Sequence, residues 1–169
     1  MSLEQKINNL ETDLHIMGTL VLDSLVGAVR ALEDKDTLKA SEVMDKDDEI
    51  DDAYMKIDQD WFELMATEQP VASDLRLSTS ILQASLHLER LGDLSVYLGK
   101  TTHEIHDLPI PESLHKIVVE MGDMVIDMAS SALESLKNRD AELALSTARK
   151  DELINSLYNK MLNEVPNIS

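Results

Sequence analysis

The sequence contains no cysteine, which excludes disulfide scaffolds, thiolate zinc sites, cysteine nucleophiles and cysteine-ligated iron–sulfur clusters. Aromatic residues make up only 3% of it, and it has just 5 glycines and 4 prolines. Strands of sandwiches and barrels are enriched in aromatic residues, and their tight turns use glycine and proline. This composition therefore disfavours both folds and favours helices. A P-loop and a Gly-x-Ser-x-Gly nucleophile motif are also missing. Nothing in the sequence resembles a catalytic constellation.

Positive charge is scarce, with 15 Lys and Arg against 33 Asp and Glu and a net charge of −18. This balance argues against a nucleic-acid binder and against docking on anionic lipid through a basic patch. Hydrophobic residues make up 43% of the 169 residues, enough for the core of one domain or of two small repeats. The charged N-terminus has no signal-peptide pattern, and no run approaches the ~20 apolar residues of a membrane span. We therefore expect a soluble protein.

Apolar residues recur with helical spacing in five stretches. The predicted helices run from Ile7 to Leu32, Thr37 to Ala66, Pro70 to His106, Glu112 to Leu136 and Asp140 to Glu164. Pro70 suits the first position of the third helix, with Thr67 as its cap. The two prolines of Asp107–Pro111 indicate a stiff extended connector. The sequence thus predicts an all-α fold, with three helices before the connector and two after it.

The chain repeats itself at an offset of 104 residues without a gap. Residues 17–54 and 121–158 share 12 identities in 38 positions, among them Ala40 with Ala144 and Ile50 with Ile154. This pattern predicts a duplicated three-helix bundle of the spectrin-repeat type. We expect residues 1–107 to form the first repeat and residues 108–169 to form a second repeat without its third helix, either because the sequence is cut short or because this copy has lost that helix.

A two-helix repeat is expected to expose the seam that a third helix would cover. The apolar residues of this seam are Leu133, Leu136, Leu143, Leu153, Leu157 and Met161. Exposed patches of this size usually find a partner. We expect self-association through residues 112–165, or mobility of this half.

Two carboxylate pairs stand out from the acidic background of 13 carboxylates and 4 Lys between Glu33 and Glu63. They are Asp47 with Asp51 and Glu89 with Asp93, each spaced i, i+4 on one helix face. Both pairs lie about 20 residues from the turn at 67–69, which puts them ~30 Å from it and at the same height. Four facing oxygen ligands could bind one hard or borderline cation. An ion-pair network with Lys46 and Arg90 is the alternative, and the residues alone leave both open.

Other ligand patterns are weaker. Asp151 and Asn155 repeat the Asp47–Asp51 pair, but without the second charge and without a third helix, so a second site should be weak or absent. His103 and His106 lie at a helix C-terminus, which cations favour in any case. Glu112 and His115 have the Glu-x-x-His spacing of di-iron bundles, which require two copies of it. Gly18, Gly92 and Gly122 lie inside helical patterns, where glycine either is simply tolerated or marks a close approach of two helices.

The segments Gln69–Arg76 (QPVASDLR) and Leu88–Asp93 (LERLGD), with the Met-Gly of the first helix and Asp47–Asp51, resemble the signature of the phosphate-uptake regulator (PhoU) family. The resemblance covers residues 7–165. It implies two three-helix bundles with acidic metal-binding motifs, which map onto Asp47, Asp51, Glu89 and Asp93. Iron is the first metal to expect, with zinc, manganese or magnesium as alternatives. Asn155 and the sequence without a sixth helix depart from the family pattern.

The resemblance also implies a function. Family members are cytoplasmic negative regulators of phosphate uptake that link the ATPase subunit of the phosphate ABC transporter to a sensor histidine kinase, and they tend to form homodimers. We therefore expect a non-enzymatic, metal-binding adaptor. The alternative is a carboxylate-bridged di-metal enzyme, for which two facing Glu-x-x-His motifs would be expected.

Overall fold

The computed structural model describes residues 1–164, and their regular structure is entirely helical. The helices are α1 (Leu3–Asp34), α2 (Thr37–Asp45), α3 (Asp47–Glu68), α4 (Ala72–Ile105), α5 (Glu112–Asn138), α6 (Ala141–Arg149) and α7 (Asp151–Glu164). The predicted all-α fold is confirmed. Residues 106–111 separate α4 from α5 and contain both connector prolines.

Two of the predicted continuous helices are divided, which corrects the prediction. Lys46 ends α2, where its N–H reaches the carbonyls of Met44 and Val43, and α3 starts at the next residue. The corresponding break falls at Lys150, between α6 and α7. In both places acidic residues fill the first turn of the new helix, where the helix dipole favours negative charge. The apolar stripe runs on through each break, so periodicity alone did not reveal it.

The start of the third predicted helix is also corrected. Gln69 ends α3 in the left-handed conformation, Pro70 is buried in the connection, and α4 begins at Ala72 after an extended Val71. Thr67 does not cap α4. It lies in the last turn of α3 and donates its hydroxyl hydrogen bond to the Glu63 carbonyl at 2.8 Å. Threonine bonds back to residue i−4 readily inside a helix, and this contact satisfies it here.

Helix α1 lies at the centre of the fold and packs against α2, α3, α4 and α5. Its length and composition would also suit a membrane span, but half of its most apolar window is buried inside this bundle. The core around it has fully buried members from α1, α3 and α4: Leu10, Leu14, Met17, Val21, Ile50, Ile57, Leu64 and Ile81.

Two glycines set the contact between α1 and α5. A Cβ added to Gly18 would lie 2.7 Å from Leu133, and a Cβ added to Gly122 would lie 2.8 Å from Val29. At the 104-residue offset, Gly18 corresponds to Gly122 and Val29 to Leu133. The same pair of positions therefore meets twice, with the roles of the two repeats exchanged. This reciprocity makes α1 and α5 antiparallel and relates them by an approximate two-fold axis.

The hairpin after each of these helices is also built alike. Lys35 and Arg139 both end their helix in the left-handed conformation, with φ of 54° and 52°. Asp36 and Asp140 then cap the next helix by accepting a backbone N–H on a side-chain oxygen. The turn and cap that join α1 to α2 thus match those that join α5 to α6.

The second half of the chain is much less buried than the first. Helix α7 has no buried residue, and α5 has only Ile117 and Ser135. Of the predicted seam residues, Leu153 is 58% exposed and the other five are half-buried. In the part of the chain that the structure describes, no third helix packs on α5–α7 as α4 packs on α1–α3.

Candidate acidic site

The four predicted carboxylates lie on α3 and α4, which pack closely at this point. Asp47 is the first residue of α3 and Asp51 is one turn later, while Glu89 and Asp93 lie in the middle of α4. A Cβ on Gly92 would lie 3.1 Å from both Ile50 Cδ1 and Ile50 Cγ2, so this glycine allows the close approach of the two helices. Asp47 and Glu89 are half-buried, and Asp51 and Asp93 are exposed.

The pKa of Asp47 shows that three of these residues lie within electrostatic range of one another. Partial burial raises the pKa of the Asp47 carboxyl, and the negative charges of Asp51 and Asp93 raise it further. Lys100 acts in the opposite direction. Asp47 on α3 is therefore within electrostatic range of an acid on its own helix and of one on α4.

Glu89 completes the group. Partial burial raises its pKa, as do the charges of Asp93, Asp51 and Asp47, while Arg90 lowers it. None of the four carboxylates forms an ion pair within the described part of the chain. The result is a patch of mutually repelling carboxylates with no direct cationic partner.

The chemistry of this patch suits a hard cation, since it offers oxygen ligands only. Across residues 1–164, however, no three His, Asp or Glu side chains are gathered as ligands of one metal ion would be. Binding would therefore require these side chains to move closer together. Burial and, after it, the neighbouring negative charges make ionisation of Asp47 and Glu89 costly, and such a cation would offset that cost.

Sequence reasoning missed Lys100 at this site. It lies seven residues, two helical turns, after Asp93 on α4, and this spacing could have identified it. Lys46, which the sequence suggested as a neutralising partner, forms no ion pair with these carboxylates in the described part of the chain.

The second acidic pair has a different arrangement. Asn155 donates its side-chain amide to the Asp151 carboxylate at 3.0 Å, on exposed α7. An internal hydrogen bond here takes the place of charge repulsion, because the second acid is an asparagine.

The histidine patterns lead away from the acidic patch. His103 Nε2 lies 3.0 Å from the Ser41 hydroxyl, and His106 pairs with Asp107. His115 Nε2 lies 2.9 Å from the Glu33 carbonyl, while Glu112 forms an ion pair with Lys116 that lowers the pKa of Glu112. The single Glu-x-x-His motif is thus engaged in contacts elsewhere.

Comparison with known proteins covers nearly the whole chain. The profile of the PhoU domain matches residues 14–102 and 118–169. A "Phosphate-specific transport system accessory protein PhoU homolog" from Clostridium acetobutylicum is 32% identical over 98% of this chain and 75% of its own length. One of the same name from Pseudomonas putida is 32% identical, and the chain spans 62% of it.

Two solved structures share the fold. The crystal structure of PhoU from Pseudomonas aeruginosa superimposes with a TM-score of 0.94 at 31% identity, over 98% of this chain and 79% of that one. The phosphate transport system regulatory protein PhoU from Streptococcus pneumoniae gives a TM-score of 0.88 at 28% identity, over 99% of this chain and 78% of that one. By profile, sequence identity and fold together, the chain belongs to the PhoU family.

Proposed function

We propose that this protein is a negative regulator of phosphate uptake and of phosphate-responsive signalling. In this role it acts in the cytoplasm as a non-enzymatic adaptor between the ATPase subunit of a phosphate ABC transporter and a sensor histidine kinase. The observation that carries the proposal is membership of the PhoU family, whose relatives are named as accessory or regulatory proteins of phosphate transport. The adaptor role and the two partners rest on the family resemblance.

A cell-based experiment tests the regulatory role. In a bacterial strain that lacks its own family member, expression of this chain should lower the initial rate of phosphate uptake and repress a phosphate-starvation reporter. If the uptake rate and the reporter activity stay unchanged although the protein is expressed at normal levels, the proposal is contradicted. A second experiment tests the adaptor role by measuring binding of this protein to the purified ATPase subunit and, separately, to the kinase. We expect it to bind both.

We also propose that Asp47, Asp51, Glu89 and Asp93 bind a divalent or trivalent metal ion, with iron as the first candidate. The support comes from four carboxylates on two adjacent helices that form no ion pair among the described residues, two of which have a pKa raised by burial and by the negative charges of the others. A bound ion would stabilise the folded state by mass action, so Fe²⁺, Mn²⁺ or Zn²⁺ should raise the melting temperature.

Matched variants separate specific binding from general attraction to an acidic surface. Asp51→Asn should remove most of the metal-induced rise in melting temperature. Asp58→Asn, on the exposed side of the same helix, should retain it. If wild-type protein ignores all three metals, or if both variants respond equally, the metal proposal fails. Sedimentation of the wild type tests whether the protein is the homodimer that the family resemblance implies.

A further inference from the structure

A small pocket lies where α1 faces the junction of α2 and α3, and none of the four predicted carboxylates lines it. Its volume is about 150 Å³, and a cavity of this volume accommodates a molecule of about six heavy atoms. Val43 and Ile50 are buried in its wall, and Leu20 is half-buried there. Most of the buried wall is therefore apolar.

Ser24 is the polar residue in this buried wall. It is only 6% exposed, and its hydroxyl has no hydrogen-bond partner within the described part of the chain. The fully buried Ser78, Ser95 and Thr102 of α4 each donate to a carbonyl four residues earlier. Because Ser24 makes no such bond, its hydroxyl is a free donor and acceptor in the wall of the pocket.

Charged side chains surround the opening of the pocket. Four of them are exposed and form no ion pair among residues 1–164: Asp23, Glu42, Lys46 and Glu49. Lys39 also lines the pocket, but it pairs with Asp34 at 3.4 Å. The described carboxylates are not gathered as ligands of one metal ion. The opening thus offers one free ammonium group and three free carboxylates to an organic molecule.

The second repeat has larger or uncharged residues at four of the pocket positions. At the 104-residue offset the pairs are Ser24 with Met128, Gly27 with Ser131, Lys39 with Leu143 and Glu49 with Leu153. In each pair the first-repeat residue is either smaller or charged. Since the turn and cap between the two helices match in both repeats, these differences give the first repeat its own space and charge here.

An ion pair also distinguishes the two repeats. Asp23 and Lys46 recur in the second repeat as Asp127 and Lys150. Lys150 Nζ lies 2.5 Å from Asp127 Oδ2, which joins α5 to the residue before α7. Asp23 and Lys46 form no such pair in the described structure, and both line the pocket instead. A molecule that carries both signs of charge would satisfy these two side chains together.

We propose that this pocket binds a small zwitterion of the α-amino acid type, a property that goes beyond the regulatory role proposed above. The ligand carboxylate pairs with Lys46 and accepts a hydrogen bond from Ser24. The ligand ammonium group pairs with Asp23, and a short aliphatic side chain lies against Val43 and Ile50. A simple anion would meet three carboxylates and a simple amine would meet Lys46, so neither matches the pocket as a zwitterion does.

The test uses the whole protein and three small probes at pH 7: L-alanine, propionate and ethylamine. L-Alanine has about six heavy atoms, which suits the volume of the pocket. It should shift the amide resonances of Ser24 and Lys46 saturably, with a dissociation constant of about 1 mM or lower. Propionate lacks the ammonium group and ethylamine lacks the carboxylate. Each should bind at least about tenfold more weakly, because one charge-assisted hydrogen bond is lost.

Matched variants in the two repeats locate the site. Lys46→Gln should weaken L-alanine binding at least about tenfold, whereas Lys150→Gln, at the equivalent position, should change it less than about twofold. Ser24→Ala should weaken binding about threefold or more. It should not lower the melting temperature, because the hydroxyl that it removes has no partner in the described structure.

Three results would each overturn the proposal. The first is equal binding of the three probes, or a linear response to L-alanine without saturation. The second is equal binding of L-alanine by the Lys46→Gln and Lys150→Gln proteins. The third is an undiminished affinity of the folded Ser24→Ala protein for L-alanine.

Discussion

The two repeats contain the same residues at key positions but bury them to different extents. Ala40 is fully buried while Ala144 is exposed, and Ile50 is 2% exposed while Ile154 is only half-buried. The two residue types and the helices that carry them match, so neither residue type nor secondary structure causes the difference. The cause is α4, which packs on α1, α2 and α3 and has no counterpart on α5–α7 among the described residues. Burial in this fold belongs to the three-helix assembly and not to the hairpin alone.

The acidic pairs show the same contrast. Asp47 and Asp51 lie near two further acids on α4, and burial together with the neighbouring negative charges raises the pKa of Asp47 and of Glu89. Asp151 faces no acidic helix and is hydrogen-bonded to Asn155. Helix α4, the third helix of the first repeat, therefore creates the candidate site as well as the core of that repeat.

The largest effect is expected from truncating the same residue in the two repeats. Ile50→Ala should reduce the free energy of unfolding by about 2–5 kcal/mol, because it leaves a cavity between α3 and α4. Ile154→Ala should cost less than about 1 kcal/mol, because its side chain already meets solvent. Urea unfolding of both variants measures the difference, and equal losses would contradict the comparison.

A smaller difference is expected at the paired glycines of the α1–α5 contact. Gly122→Ala places a methyl group against Val29, which is rigid and 1% exposed, so the clash should outweigh the gain in helix propensity by about 1 kcal/mol. Gly18→Ala meets only the end of Leu133, which is half-buried and can turn aside. Its effect should be within about 0.5 kcal/mol of zero. Gly122→Ala should melt at a lower temperature than Gly18→Ala. The opposite order would contradict the assignment of Val29 as the rigid side of the contact and of Leu133 as the side that can move.

The smallest effect concerns the charge of Glu89. Its pKa is raised in the folded protein, so its ionisation costs stability at neutral pH, and that cost disappears as the pH falls through the raised value. Without metal, Glu89→Gln should raise the melting temperature by about 1–2 °C at pH 7, after allowance for solvent screening. The gain should vanish in acid. Glu120→Gln, an exposed control on α5, should show neither change, and a pH-independent gain for Glu89→Gln would argue against a cost of ionising Glu89.

Sequence periodicity predicted the helical fold and the proline connector well, because apolar stripes and prolines are strong local signals. It failed at Lys46 and Lys150, where the stripe continues although the backbone turns. The clue there was electrostatic: each lysine is followed by acids that suit a helix N-terminus. Thr67 was predicted to cap α4 because Pro70 was expected to be the first residue of that helix. Instead, Gln69 adopts the left-handed conformation that ends α3, and α4 begins only after it.

The candidate site was predictable only in part. The i, i+4 spacing identified the four acids, and equal distances from the turn indicated that they would meet. Lys100 was missed because it lies two helical turns beyond Asp93 on α4 and acts on Asp47 of the neighbouring helix. The exposure of Asp51 and Asp93 depends on side-chain packing, which periodicity does not encode.

Native-state hydrogen exchange tests most directly the claim that one repeat has a complete core and the other an open one. At a concentration where sedimentation shows a monomer, amides around Ile50 and Ile57 in α3 should exchange only through global unfolding. Those around Ile154 and Met161 in α7 should exchange through local opening, at least about 100-fold faster after correction for intrinsic rates. Equal protection of α3 and α7 in the monomer would contradict the account.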